Sequence, residues 1–110
     1  MTLTELALAP DVAEHWVQSL DPRLATQALI GFGLWSPGDG AAPTDNLDAA
    51  YGLAERALGV GRQAISLRTE GSALACSFIY ANRMVTALAN QEALALTRAI
   101  LRAAYEARLI

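Results

Sequence analysis

The chain has 110 residues, a formal net charge of −3, and 54% hydrophobic against 17% charged residues, which predicts one domain over residues 1–110. This composition provides more apolar surface than one small core needs, and it indicates a buried contact with a partner. All eight basic residues are arginines and they form no cluster, and no apolar run is long enough to span a membrane. The first residues lack the basic-then-apolar layout of a signal peptide, so we expect a soluble cytoplasmic protein that binds neither nucleic acid nor membrane.

The first third of the chain predicts a helix followed by an extended segment. Pro10 suits a first helical turn, Trp16 and Leu20 recur at helical spacing, and Asp21-Pro22 is expected to end the helix. The nearly uncharged run that follows contains Gly31 and predicts a buried strand over residues 26–33. A weak second strand or an irregular turn is expected at residues 34–37, before a surface loop.

Residues 47–58 predict a helix with an unusually broad apolar surface. Asp45 or Thr44 is expected to cap its first turn, and Gly59 follows its end. Apolar or small residues cover more of its circumference than a surface helix typically presents. Such a helix has enough apolar surface to cover a sheet and also to contact a second helix, although an alanine-rich helix in an alanine-rich protein has the same pattern. The residues concerned are Leu47, Ala50, Tyr51, Leu53, Ala54, Ala57, Leu58 and Val60.

Residues 63–89 predict three antiparallel strands joined by two hairpins. The turns fall at Gly71 and Asn82, because both residue types adopt positive φ angles readily. Alternation of apolar and polar residues over 63–69 is typical of a strand with one face in the core. The uncharged run from 73 to 80 is expected to lie centrally and to be covered on both faces or nearly so. A final helix is expected over residues 91–108, capped by Asn90. Its more exposed side is expected to carry Glu92, Arg98, Arg102 and Glu106.

This order of elements resembles that of the roadblock/LC7 family, and the similarity is strongest over residues 47–105. There an apolar helix leads into Gly59-Val60-Gly61, a strand and turn follow, and residues 83–102 resemble the family's last strand and C-terminal helix. Residues 30–35 depart from the pattern. The resemblance implies an α+β fold of order α-β-β-α-β-β-β-α, with a five-stranded antiparallel sheet flanked by helices. It also implies a non-catalytic platform that binds small Ras-like GTPases or belongs to motor and signalling complexes.

A homodimer is expected from the residues themselves as well as from the resemblance. The broad apolar helix and the first strand of the meander both leave surface unpartnered, and a two-fold axis brings each surface against its own copy. The interface is expected to bury roughly 1,200–2,000 Å². The residues predicted to form it are Leu47, Ala50, Tyr51, Ala54, Ala57, Leu58, Ile65 and Leu67.

No enzymatic site is expected. The chain has no lysine, which excludes a Schiff base and a phosphate-binding P-loop lysine. His15 is the only histidine and is typical of a solvated helix face, while Cys76 lies within a predicted strand and is expected to be buried. Gly31 and Gly33 form a lone G-x-G motif without the third glycine of a dinucleotide site.

The acidic residues Asp39, Asp45 and Asp48 are explained by loop and cap positions, so neither a metal nor a cofactor is expected. The alternative hypothesis is a small α+β ligand-binding or enzymatic domain with an apolar pocket beneath Trp35 and Tyr80.

Overall fold

A computed structural model of the chain describes residues 15–107. Residues 10–14 of the first predicted helix and residue 108 of the last one lie outside this range. The elements are helical residues 15–18, α1 (Pro22–Gly31), a 3-10 turn (Pro37–Asp39), α2 (Leu47–Leu58), a second 3-10 turn (Arg62–Ala64), β1 (Ser66–Glu70), β2 (Ala73–Tyr80), β3 (Arg83–Ala89) and α3 (Glu92–Glu106).

The three strands form an antiparallel meander in the order β1-β2-β3, which confirms the predicted central position of β2. Two-residue turns join them. Gly71 takes a φ of +65°, and Ala81 and Asn82 take φ angles of +54° and +63°, as a type I′ hairpin requires at both central positions. The first strand is shorter than predicted, because residues 62–64 form a 3-10 turn before β1 begins at Ser66.

The five-stranded sheet is wrong, since the sheet within residues 15–107 has three strands. The predicted strand at 26–33 falls mostly in helix α1. Its first turn is capped by Asp21, whose carboxylate accepts a hydrogen bond from the N–H of Leu24 at 2.8 Å, and Pro22 occupies the first helical position. Ala25 and Leu29, four residues apart, are both fully buried. Asp21-Pro22 thus starts a helix as well as following one.

Of the two alternatives predicted for residues 34–37, the second strand is wrong and the irregular turn is confirmed. The N–H groups of Leu34 and Trp35 both donate to the carbonyl of Leu29, at 2.9 and 3.3 Å, and so turn back onto α1. The N–H of Ser36 then donates to Asp39 Oδ2 at 3.0 Å, within a capped 3-10 turn. These N–H groups are therefore not available to a neighbouring strand.

The predicted bounds of the second helix, Leu47–Leu58, are confirmed, but its cap differs from the prediction. Asn46 is the N-cap, because its Oδ1 accepts the N–H of Ala49 at 3.0 Å. Thr44, one of the two predicted caps, is 1% exposed and hydrogen-bonds instead to Thr26 Oγ1 at 2.8 Å. Asn90 likewise does not cap the last helix, which has Gln91 at its N-cap position.

Helix α3 occupies the centre of the molecule. Eleven of its fifteen residues are buried, because it packs against β2 and β3 on one side and against α1 and α2 on the other. Helix α2 therefore packs on α3, and not on the sheet that its broad apolar surface was expected to cover. Trp16 holds residues 15–20 to this assembly through ring contacts with Tyr105 at 4.9 Å and Phe32 at 5.8 Å.

Candidate interaction surface

One face of the sheet packs on α3 and the other faces outward. Cys76, Phe78 and Val85 are buried on the inner face, so the residues that alternate with them point outward. Among these, Ile79 and Met84 lie directly opposite each other and are each 64% exposed. Leu88, farther along β3, is 37% exposed. Within the described residues, the outer face of β2 is therefore uncovered at Ile79, contrary to the prediction. We call Ile79, Met84 and Leu88 the outer apolar residues.

A polar strip crosses the same face and separates Ile79 and Met84 from Leu88. Arg68 Nη1 donates to Ser77 Oγ at 3.0 Å, and Ser77 Oγ hydrogen-bonds to Thr86 Oγ1 at 3.0 Å. The strip links all three strands and satisfies the hydroxyl of Ser77, which is only 5% exposed. Arg68 also lies 3.7 Å from Glu70, and both side chains are about half exposed, at 51% and 58%.

The outer edge of β3 is closed by arginines from α3. The carbonyl of Thr86 accepts a hydrogen bond from Arg102 Nη1 at 2.6 Å, and the carbonyl of Leu88 accepts one from Arg98 Nη1 at 2.7 Å. Arg102 is further fixed by an ion pair between its Nε and Glu106 at 2.9 Å, with side chains only 16% and 7% exposed. These charge-assisted bonds occupy the carbonyls that an added strand requires.

Gln18 completes the closure of the β3 edge from the segment that precedes α1. In the amide orientation that satisfies both partners, its nitrogen donates to the carbonyl of Leu88 at 2.9 Å and its oxygen accepts the N–H of Leu88 at 2.9 Å. This pair of bonds is the one that a neighbouring strand residue makes across an antiparallel ladder. The Gln18 side chain therefore takes the place of a fourth strand at this point.

Arg98 links the β3 edge to the segment that precedes α1. Its Nε and Nη2 both donate to the carbonyl of Leu20, at 3.0 and 2.6 Å, while its Nη1 reaches Leu88. Burial lowers the pKa of the Arg98 guanidinium, and the negative charge of Asp21 opposes that shift. A guanidinium remains protonated at neutral pH even so, and its charge strengthens all three hydrogen bonds.

The edge of β1 is open. Glu70 and Ala73 close a two-residue hairpin, so Glu70, Arg68 and Ser66 direct their backbone groups toward β2. Leu67 and Thr69 consequently direct their N–H and C=O groups away from the sheet, where they meet no hydrogen-bond partner within the part of the chain that the structure describes. Four of the five residues of β1 are also exposed. Such an edge is a template for another strand.

The residues predicted to form the dimer interface mostly contact the protein's own core. Ala50 and Ala54 are fully buried, and helix α2, which carries them, packs on α3. The remaining predicted residues are half-buried and pack against the same core, and the Arg62 guanidinium lies 4.4 Å from the centre of the Tyr51 ring. The breadth of the apolar stripe on α2 is thus largely explained by α3, and its role in an interface stays a prediction. The half-buried residues are Leu47, Tyr51, Ala57, Leu58, Ile65 and Leu67.

The reactive side chains singled out in the sequence lie apart from one another. The predicted burial of Cys76 is confirmed, and desolvation raises the pKa of its thiol to about 12, which keeps it protonated at neutral pH. His15 is exposed, Asp39 caps a 3-10 turn, and Asp48 lies 3.5 Å from Arg62 on the surface. Residues 15–107 contain no cluster of three or more potential metal ligands.

The expected pocket beneath Trp35 and Tyr80 does not bring those two side chains together. Tyr80 lines a cavity of about 60 Å³ with Arg83, Val85 and Glu106, among others. Trp35 is not part of that lining and is 7% exposed within the core. A ligand site typically encloses several hundred Å³, so this cavity is small for a substrate or cofactor.

The edge-closing side chains were missed by the sequence reasoning, which assigned Arg98 and Arg102 to the exposed side of the last helix. Both are half-buried and point at carbonyls of β3. The available signal was their spacing of four residues on a helix that is otherwise nearly all apolar, which places both guanidinium groups on one face.

No family model, curated protein or solved structure matches this chain at a significant level. Membership of the roadblock/LC7 family therefore stays a prediction. None of the helices within residues 15–107 is both long and apolar enough to cross a membrane.

Proposed function

We propose that this chain is a non-catalytic interaction module that pairs with a second copy through the open edge of β1 and binds a protein partner on the outer face of its sheet. The observation that carries the proposal is the contrast between the two edges. Side chains occupy the carbonyls of Thr86 and Leu88 on β3, whereas the outward-directed backbone groups of Leu67 and Thr69 on β1 have no partner within residues 15–107.

One open edge favours a closed pair of molecules over a longer assembly. When two copies join through β1, each copy uses the same edge, so a two-fold axis relates them and no open β1 edge is left. The β3 edges at the two ends of the joined sheet are already occupied by Gln18, Arg98 and Arg102. The pair therefore stops at two copies.

The partner-binding part of the proposal rests on the outer apolar residues. Ile79 and Met84 lie opposite each other and each keeps 64% of its surface exposed, on the same face of the sheet as Arg68 and Glu70. Exposed aliphatic side chains grouped on one face are typical of protein contact sites. The class of partner stays as the resemblance predicted it, a small Ras-like GTPase.

A proline substitution tests the pairing at the β1 edge. Thr69→Pro removes an N–H that makes no bond within the described chain, and proline is tolerated on an edge strand where the N–H faces outward. We expect light scattering at micromolar concentration to give twice 11.6 kDa for the parent chain and 11.6 kDa for Thr69→Pro. Thr69→Ala keeps the N–H and is the matched control, which should remain dimeric. A parent chain that is monomeric contradicts the pairing.

The partner surface is tested separately by charge. The double substitution Ile79→Glu and Met84→Glu should abolish co-purification of a Ras-like GTPase from the native cell, because it places two charges on the proposed contact. Ile30→Glu is the control, since Ile30 is 44% exposed on α1, away from the sheet. If the parent chain co-purifies with no GTPase, or if the double variant retains one, the proposed partner or its site is wrong.

A further inference from the structure

We infer that the two copies meet as antiparallel strands with Thr69 on the two-fold axis, so that Arg68 of each copy lies opposite Glu70 of the other. This inference rests on the proposed pairing through β1 and specifies how the two edges align. It follows from the directions of the backbone groups and from the order of charges along Ser66–Glu70.

The backbone limits the possible alignments. In an antiparallel ladder, residues with outward-directed N–H and C=O groups pair with each other, and on β1 these residues are Leu67 and Thr69. The two-fold axis then passes between two copies of Leu67, between two copies of Arg68, or between two copies of Thr69. Each choice sets a different partner for Arg68 on the outer face.

Charge distinguishes the three alignments. An axis at Arg68 places two guanidinium groups directly opposite each other, in the closely spaced type of pair whose Cα atoms are about 4.5 Å apart, and this is destabilising. An axis at Leu67 places Arg68 opposite Ser66 and leaves Glu70 without an oppositely charged residue across the axis. An axis at Thr69 places Arg68 opposite Glu70 twice, once on each side of the axis, and each such pair stabilises a sheet.

The two side chains are already arranged for this contact. Arg68 is held over the outer face by its hydrogen bond to Ser77 at 3.0 Å, and Glu70 lies on the same face, 3.7 Å away. Both remain about half exposed, so each retains surface for a second ion pair. Within one copy, Arg68 and Glu70 form an ion pair with no net charge. Across the axis, the two arginines and two glutamates of the pair lie with opposite charges facing each other.

The alignment also determines where the partner surface lies. A two-fold axis between neighbouring antiparallel strands runs perpendicular to the sheet, so the two meanders form one six-stranded sheet with both outer faces on the same side. Ile79, Met84 and Leu88 of both copies are then displayed together, on either side of the central charges. A partner approaching this side meets two equivalent apolar sites.

Single cysteines report the alignment directly. Thr69→Cys brings two thiols together across the axis, within the 4.4–6.8 Å between Cα atoms that a disulfide needs, whereas Leu67→Cys and Arg68→Cys do so only in the other two alignments. The native Cys76 is fully buried and does not compete. After mild oxidation, we expect a covalent dimer from Thr69→Cys on non-reducing electrophoresis, with little from the other two variants.

The possible outcomes separate the alignment from the pairing itself. If Leu67→Cys or Arg68→Cys cross-links faster than Thr69→Cys while the parent chain is dimeric, the alignment is overturned and the pairing stands. If the parent chain is monomeric by light scattering, the proposed pairing fails and the alignment fails with it. Cross-linking of Thr69→Cys alone, with a dimeric parent, supports both.

Complementary charge variants provide an independent measurement. Arg68→Glu and Glu70→Arg each turn two attractive cross-strand contacts into repulsive ones, so each variant alone should associate roughly tenfold or more weakly than the parent. An equimolar mixture of the two restores opposite charges at both contacts and should form a mixed dimer. If the single variants associate as well as the parent, the charges do not select the alignment.

Discussion

The two edges of the sheet differ in how their backbone groups are satisfied. At β3, Arg98, Arg102 and Gln18 bond to the carbonyls of Thr86 and Leu88 and to the N–H of Leu88, so these side chains obstruct the addition of a strand. At β1, the corresponding groups of Leu67 and Thr69 face outward without a partner in the described residues. A protein that protects one edge with half-buried arginines and leaves the other open has one preferred site for strand addition.

Removing Arg98 should have the largest effect on stability. Its guanidinium makes three hydrogen bonds to two carbonyls, and Arg98→Ala leaves the carbonyl of Leu20 without its donors. Hydrogen bonds to charged groups contribute about 1.5–3 kcal/mol each and are not additive, so we expect a loss of about 3 kcal/mol in the free energy of unfolding, measured in urea. Arg56→Ala, at an exposed position on α2, should change it by less than about 0.5 kcal/mol. Equal losses of unfolding free energy in Arg98→Ala and Arg56→Ala would show that the hydrogen bonds of Arg98 do not stabilise the fold.

Removing Arg102 should cost less. Arg102→Ala deletes one bond to the carbonyl of Thr86 and leaves the Glu106 carboxylate, only 7% exposed, without this ion pair. We expect the free energy of unfolding in urea to fall by about 2 kcal/mol. Arg102→Lys should recover about half of this loss, because one ammonium group replaces a guanidinium whose separate N–H groups bond to Glu106 and to Thr86. A lysine variant as stable as the parent would show that fork geometry is unimportant at this edge.

Replacing one glutamate by glutamine at each edge should have the smallest effects on stability, and it compares the two edges through the same substitution. Glu106→Gln disrupts an ion pair with a 2.9 Å contact and largely buried side chains, and should cost about 1–2 kcal/mol. Glu70→Gln disrupts one with a 3.7 Å contact and side chains more than half exposed, where solvent screening reduces the contribution to less than about 0.5 kcal/mol. The comparison is made by urea unfolding at concentrations at which the chain is monomeric. The reverse order of costs would contradict the assignment of β3 as the structured edge.

The parts of the fold that were predicted from sequence are those set by local signals. The bounds of α2 follow from its helical apolar spacing and the glycine after it, and the meander follows from Gly71 and Asn82 between alternating runs. Helix α1 was missed because Asp21-Pro22 is both a stop signal for one helix and a cap for the next. An uncharged run of this length has no periodicity that distinguishes a buried helix from a strand.

The edge closure was beyond sequence reasoning for a different reason. Arg98 meets Leu20 across a separation of 78 residues, and Gln18 meets Leu88 only because Trp16 holds the first segment onto α3. Such contacts depend on the packing of whole elements, which propensity and periodicity do not report. The open β1 edge was predicted, since the first strand of a meander has a neighbour on only one side.

Amide hydrogen exchange tests the difference between the edges most directly. In the dimeric parent chain, the Thr69 N–H bonds to the Thr69 carbonyl of the second copy. In Arg68→Glu, measured at a concentration at which only the parent is dimeric, it faces water, so its exchange should be at least roughly tenfold faster in the variant. The Leu88 N–H bonds to Gln18 within one chain and should exchange at the same rate in both proteins. Equal exchange at Thr69 in the two proteins, or a change at Leu88 in its place, would contradict β1 as the open, joining edge.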